Sequence, residues 1–260
     1  MKQLNFGIIG TGEIGRVHAV NMVKRIPEAK LVSVADIRIE VAERCAKDLG
    51  ISKVFADYHV MLEDKEIEAV AICTTPDSHA RIIEEVAAAG KHIFCEKPIG
   101  MQLEEINRAL IAVDRAGVKL QVGFNRRFDP NFRRARELLV KGAIGTPHIL
   151  HIISRDPEPP GLEYFKISGG ILLDMTIHDF DMARYLMAEE VQEIYTAGSV
   201  LIEPKFADLG EIDTALITLR FQSGALGVID NSCRAVYGYD QRIEVFGEKG
   251  KVAVQNPQPD

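Results

Sequence analysis

The chain has 260 residues, 47% of them apolar, and carries 38 acidic against 31 basic side chains, a formal charge of −7. That length exceeds the needs of one small core and is read as two domains, while the acidic balance argues against the basic face that a polyanion requires, so nucleic acid is not an expected partner. Cys45, Cys73, Cys95 and Cys233 are scattered and form no C-x-x-C pair, which argues against a zinc ribbon or disulfide framework and for free thiols in a reducing cytoplasm.

Residues 1–9 run directly into an apolar strand, without the basic segment, long apolar stretch and small-residue cleavage site of a secretory signal. No apolar run approaches the ~20 residues that span a bilayer, so a soluble cytoplasmic protein with no membrane partner is expected. In chain order, strands are predicted at 4–9, 31–35, 69–73, 92–95 and 120–123. Between them Ile82, Ile83, Val86 and Ala87 form one apolar stripe and Ile106, Leu110 and Val113 another, both at helical spacing. The alternation predicts a parallel sheet covered on both faces, a Rossmann dinucleotide-binding domain over residues 1–123 of an α/β protein. After residue 123 the pattern changes. Helices are predicted at 130–141 and 175–187, an extended segment at 147–154, and then strands at 193–201, 214–221, 225–232 and 242–246. Strands that follow one another without helices favour antiparallel pairing, so residues 124–260 are read as an α+β domain with a largely antiparallel open sheet. The Pro-rich stretch 156–161, with Ser168-Gly169-Gly170 soon after, is the longest irregular segment and reads either as a substrate-facing loop or as a solvated connection.

Gly10-Thr-Gly12-Glu13-Ile14-Gly15 follows the first strand and opens a helix. Gly10 permits the tight turn, Gly12 lets the backbone approach a pyrophosphate, and Gly15 allows close packing of helix on strand, with the anionic linkage at the positive end of the helix. Asp36, 21 residues beyond Gly15 at the end of the second strand, suits a carboxylate that accepts from both ribose hydroxyls. It would repel a 2′-phosphate and so argues for NAD over NADP, a preference that Arg38 moderates. Thr74-Thr75-Pro76 follows the strand at 69–73 and lies on the ligand-binding edge, or is an ordinary proline turn. His79, next along, reads as a local polar contact on the cofactor side.

Oxidising a secondary alcohol requires a base for the hydroxyl proton and a group that holds the developing alkoxide charge. Glu96-Lys97-Pro98 sits at a strand's carboxyl end, where the lysine serves the second role and Glu96 pairs with it or touches the cofactor ribose; the alternative is a surface turn. Asp174 and His178 are four apart and share a helix face, so the carboxylate can orient the imidazole. Histidine, ordinarily near pKa 6.5, is the expected base. The alternatives are a helix cap at Asp174 with Asp179 and Asp181 as solvated acids, and, ranked below, a metal site at Asp174, His178 and Asp179 that lacks a further ligand at close spacing. Arg126 and Arg127 precede a helix and can donate to substrate hydroxyls, whereas Arg133, Arg134 and Arg136 read as a solvated face.

Together the glycine loop, Glu96-Lys97-Pro98 and Asp174-x-x-x-His178-Asp179 resemble the glucose-fructose oxidoreductase and inositol dehydrogenase family over almost the whole chain. Gly123-Phe-Asn-Arg-Arg-Phe-Asp-Pro130, Ser154-Arg-Asp-Pro157 and Ser168 through Asp181 are similar to the bacterial inositol 2-dehydrogenases. The resemblance implies oxidation of myo-inositol to 2-keto-myo-inositol with NAD, with Lys97, Asp174 and His178 as the catalytic set. It implies substrate contacts at Arg127, Tyr237 and Asp156, no metal, and a homo-oligomer, commonly a tetramer, assembled through the open sheet. Another cyclitol or an aldose as substrate, and a non-catalytic dinucleotide-binding protein, are the rival readings. Family members continue for several dozen residues beyond the position matching Asp260, so the chain is expected to be truncated.

Overall fold

Every residue of the strand Ala69–Ile72 is buried, because helices cover both faces of the sheet in which it is central. In the computed structural model, which describes residues 3–256, the chain divides into two units, one ending at Gly123 and the other beginning at Phe124. Residues 257–260 lie outside the described residues.

The first unit runs β1 (Leu4–Ile9), α1 (Glu13–Lys24), β2 (Ala29–Ala35), α2 (Ile39–Leu49), β3 (Lys53–Phe55), α3 (Tyr58–Leu62), β4 (Ala69–Ile72), α4 (His79–Ala88), β5 (His92–Cys95), α5 (Leu103–Ala116) and β6 (Leu120–Val122). Its strands are all parallel, in the order β3-β2-β1-β4-β5-β6, the doubly wound arrangement whose crevice opens beside β1 and β4. Because successive side chains leave a strand on opposite faces, Val70 and Ile72 pack with Ile83 and Val86 of α4, while Ala71 packs with Ile8, Ala19 and Ala42 under α1 and α2. β3 and α3, of three and five residues, are too short to carry a period and are absent from the sequence reading.

The second unit comprises α6 (Pro130–Val140), β7 (Pro147–Arg155), α7 (Leu162–Ser168), α8 (Ile177–Met187), β8 (Val191–Ser199), α9 (Lys205–Asp208), β9 (Thr214–Phe221), β10 (Leu226–Ser232), β11 (Asp240–Gly247) and β12 (Gly250–Val254). α6 starts where the sequence dictates: Pro130 takes the first helical position and the Asp129 carboxylate accepts from the N–H groups of Asn131 and Phe132. The sheet order is β12-β11-β7-β10-β9-β8, antiparallel except for β7 beside β10. In β9, Ala215, Ile217, Leu219 and Phe221 are buried against Phe132, Met182 and Leu186, whereas Leu216, Thr218 and Arg220 alternate with them on an uncovered face. The sheet is therefore mixed and one-sided.

Two local features depart from expectation. The stretch expected to be irregular ends in α7, and the helix expected from 175 begins earlier, as a π-helical turn at Leu172–Thr176. Thr176 Oγ1 lies 3.1 Å from the carbonyl oxygen of Ile171, five residues back, which fits the widened turn.

Candidate functional site

In the first unit a 420 Å³ cavity is lined by Gly10, Gly12, Asp36, Arg38, Thr74 and Thr75 among others, a size suited to a small ligand. Gly10 has φ +86°, and a Cβ there would lie 2.6 Å from the carbonyl oxygen of Cys73. A Cβ on Gly15 would lie 2.0 Å from the carbonyl oxygen of Gly10, so both positions tolerate no side chain. Gly12 is different: a Cβ there meets nothing within 4 Å, so what its missing side chain keeps open is the approach to the backbone at the start of α1. The N–H groups of that first turn, where Glu13 and Ile14 are exposed, form an anion site by geometry and dipole. A dinucleotide phosphate fits this cradle.

Asp36 is 9% exposed. Its Oδ2 accepts from the backbone N–H and the hydroxyl of Thr11 at 2.8 and 3.1 Å, and its Oδ1 from the Arg38 N–H at 3.0 Å. The carboxylate thus holds the glycine loop as well as facing the cavity, a second role that spacing did not reveal. Arg38 is mostly exposed, its Nε 4.0 Å from Asp36. Ser78 Oγ donates to the Thr75 carbonyl at 2.7 Å and therefore accepts from Thr74 Oγ1 at 2.6 Å, which fixes both threonines; Pro76 is buried at the start of the same turn. His79 is 1% exposed, with Nδ1 2.7 Å from the Pro98 carbonyl oxygen and Nε2 3.1 Å from that of Thr74. Both ring nitrogens face backbone, which removes His79 from the cofactor contacts expected of it. Glu96 has its carboxylate 2.6 Å from Nε2 of His18, and accepts weakly from the Lys97 N–H. His18, 78 residues away, was not singled out by sequence; no local signal links it to Glu96. Lys97 is partly exposed after β5, and its bond to Pro98 is cis.

In the second unit, Asp174 lies in the π-helical turn and accepts from the Tyr164 hydroxyl at 3.0 Å. Burial, with the Asp174 charge adding to it, pushes that phenol well above its ordinary pKa. His178 opens α8, partly exposed, its ring edge-on to Phe124 at 6.3 Å between centroids. Asp179 and Asp181 are buried, not solvated. Asp179, fully buried, accepts from Ser154 Oγ at 2.6 Å and Asn231 Nδ2 at 2.8 Å and pairs with Arg126. Asn231 in turn accepts from Thr176 Oγ1 at 2.6 Å. Each donor answers the cost of burying the charge, and the register that sets Ser154 beside Asn231 on parallel β7 and β10 brings them to one carboxylate.

This network corrects the reading of Arg126 as a substrate donor, because its guanidinium is 11% exposed and committed to Asp179. Arg127 donates twice to Asp181, at 2.8 and 2.7 Å, and stacks over Tyr185; a fork so engaged orients rather than searches. Arg133 and Arg134 do form an exposed face with Glu137, but Arg136 reaches the Leu186 carbonyl and the Tyr185 ring. Tyr237 donates to Asp240 at 2.7 Å and accepts from Arg155 at 2.9 Å. Asp156 joins the ends of β7 and β10 through its backbone, donating to the Ser232 carbonyl and accepting from the Ala235 N–H. Among the described residues no group of three or more His, Cys, Asp or Glu is arranged to hold a metal ion, and no helix is long and apolar enough to cross a membrane.

Comparison with known proteins agrees with this architecture. Residues 4–124 match the model of an oxidoreductase family with an NAD-binding Rossmann fold, and residues 132–253 match the GFO/IDH/MocA C-terminal domain. The chain is 49% identical to a myo-inositol 2-dehydrogenase of Thermotoga maritima over 97% of its own length and 75% of the relative's. It is 40% identical to a scyllo-inositol 2-dehydrogenase (NAD(+)) of Bacillus subtilis, over 97% of its own length and 74% of the relative's. A crystal structure of a probable dehydrogenase from Thermotoga maritima superposes with a TM-score of 0.96 at 49% identity, covering 99% of this chain and 77% of that one. With both halves matched and the glycine cradle and Asp36 in place, the chain belongs to the GFO/IDH/MocA family of NAD-dependent oxidoreductases.

Proposed function

We propose that the protein is an inositol 2-dehydrogenase that oxidises myo-inositol to 2-keto-myo-inositol, an entry step of inositol catabolism, with NAD bound in residues 1–123 and substrate in residues 124–260. What supports the reading most is the 49% identity to a relative of that name across nearly the entire chain. NAD, when bound, supplies the hydride acceptor. Gly12, on the loop that Gly10 and Gly15 let form, admits its phosphates and Asp36 its ribose, the carboxylate disfavouring a 2′-phosphate. His178 takes the proton of the reacting hydroxyl, Asp174 orients the imidazole, and the Lys97 ammonium holds the charge that develops on oxygen. Arg127, Tyr237 and Asp156 are the proposed substrate contacts, Arg127 and Tyr237 with their geometry set by Asp181 and by Arg155 and Asp240.

A second reading, oxidation of scyllo-inositol or another cyclitol, is favoured by the 40% identity to the Bacillus subtilis relative. A homotetramer in the cytoplasm belongs to the same proposal. Supporting it are the uncovered face of β9, the exposure of β8, where Ile194 and Tyr195 are more than half exposed, and four cysteines that form no disulfide. The test is NADH absorbance with a panel of inositols and hexoses under NAD and NADP. Fastest turnover of myo-inositol with NAD is the expected result; preference for scyllo-inositol selects the second reading, and preference for an aldose or for NADP overturns both.

A further inference from the structure

His79 is a buried imidazole that the proposed chemistry does not use. It begins α4, and its two ring nitrogens face carbonyl oxygens on two separate turns, Pro98 at 2.7 Å and Thr74 at 3.1 Å. Those turns follow β4 and β5, which are neighbours in the sheet with Ile72 opposite Cys95. Pro98 has no N–H of its own, so the backbone one residue past Lys97 offers only a carbonyl by which it can be anchored. The next helical residue tightens the same contact: Gly100 packs on α4 so closely that a Cβ there would stand 3.2 Å from the Cβ of Ala80. Burying a polar ring is costly unless it is hydrogen-bonded, and a neutral ring has one N–H to give, for which the shorter contact has the stronger claim.

We propose that His79 is a positioning residue for Lys97, its Nδ1 donating to the Pro98 carbonyl and thereby fixing the turn from which the lysine side chain projects. The inference rests on the reading of Lys97 as the group that steadies the alkoxide. A misplaced catalytic group loses rate without losing cofactor, because effective concentration falls steeply with geometry.

Amide replacements separate the two ring nitrogens. In His79→Asn the side-chain nitrogen falls near the position of Nδ1, and in His79→Gln near that of Nε2. His79→Leu is expected to lower kcat by ~10-fold or more, while the Kd for NAD by titration calorimetry stays within ~3-fold. His79→Asn is expected to recover most of that rate and His79→Gln little of it. If His79→Leu does not fold, the two amides decide the matter alone, compared after their melting temperatures are measured. Equal kcat in the two amides, or a loss carried by NAD affinity with kcat retained, overturns the assignment. Lys97→Ala in the same assay keeps the two claims apart. Normal turnover there removes the role of Lys97 and this inference with it, whereas coincident amides with Lys97→Ala inactive remove only the role of His79.

Discussion

The two units form their polar sites by different means. Around the nucleotide cavity the working surfaces are backbone: glycines without side chains, N–H groups at a helix start, and one carboxylate that ties Thr11 to the rim. In the second unit the working groups are side chains held by other side chains, a chain of contacts from Thr176 through Asn231 and Asp179 to Ser154 and Arg126. A backbone cradle is specified by a few consecutive residues and fails when space is taken away. A side-chain network is specified by strand register and fails when a partner is removed, because a charge is then left buried and unpaired.

Perturbations of the two units should therefore separate cleanly. His178→Ala is expected to lower kcat between ~10²- and ~10⁴-fold, with NAD affinity by NADH fluorescence titration unchanged; an unaltered pH–rate profile in that variant would remove it as the base. Asp179→Ala strips Arg126 of its buried partner and should destabilise the second unit by about 3–5 kcal/mol in urea unfolding. A loss below ~1 kcal/mol would mean the network is solvated, since exposed pairs contribute no more than that. Asp36→Ala tests whether the cavity depends on its one carboxylate. Loss of charged hydrogen bonds, roughly 1.5–3 kcal/mol, should weaken NAD by at least ~10-fold and erase its preference over NADP; retained preference would assign selectivity elsewhere.

The smallest effect is a pH window. Arg242 above all, with Tyr237 and Asn256, holds the buried Asp240 carboxyl down at about 2 against the opposing effect of burial. A depressed carboxylate contributes stability that is complete above its unfolded pKa of about 3.9 and is lost as pH falls toward the folded value. The melting temperature should thus fall between pH 4 and pH 2, and Asp240→Asn should flatten that part of the curve. An unchanged slope would show that Asp240 carries none of the acid sensitivity.

How far each unit was legible follows from the same contrast. The glycine spacing, Asp36 and the strands up to residue 123 are local or periodic signals, and the parallel sheet follows from their alternation with helices. Lys53–Phe55 and Tyr58–Leu62 escaped because neither spans a period. The parallel pairing of Pro147–Arg155 with Leu226–Ser232 was not readable, since register between segments some 70 residues apart is a tertiary property. For that reason the sequence left open an alternative with Asp179 and Asp181 as solvated acids and allowed Arg126 to donate to substrate, although all three are bound into the interior. The link from His18 to Glu96, and the burial of His79 between Thr74 and Pro98, were hidden by sequence distance in the same way.

The most direct test of the proposed reaction follows the hydride itself. With myo-inositol carrying deuterium on its C2 carbon and NAD as acceptor, mass spectrometry of the reduced cofactor should find one deuterium per molecule formed. Reduced cofactor free of deuterium would mean that hydride leaves another carbon, and no reduced cofactor would contradict the assignment of inositol as substrate.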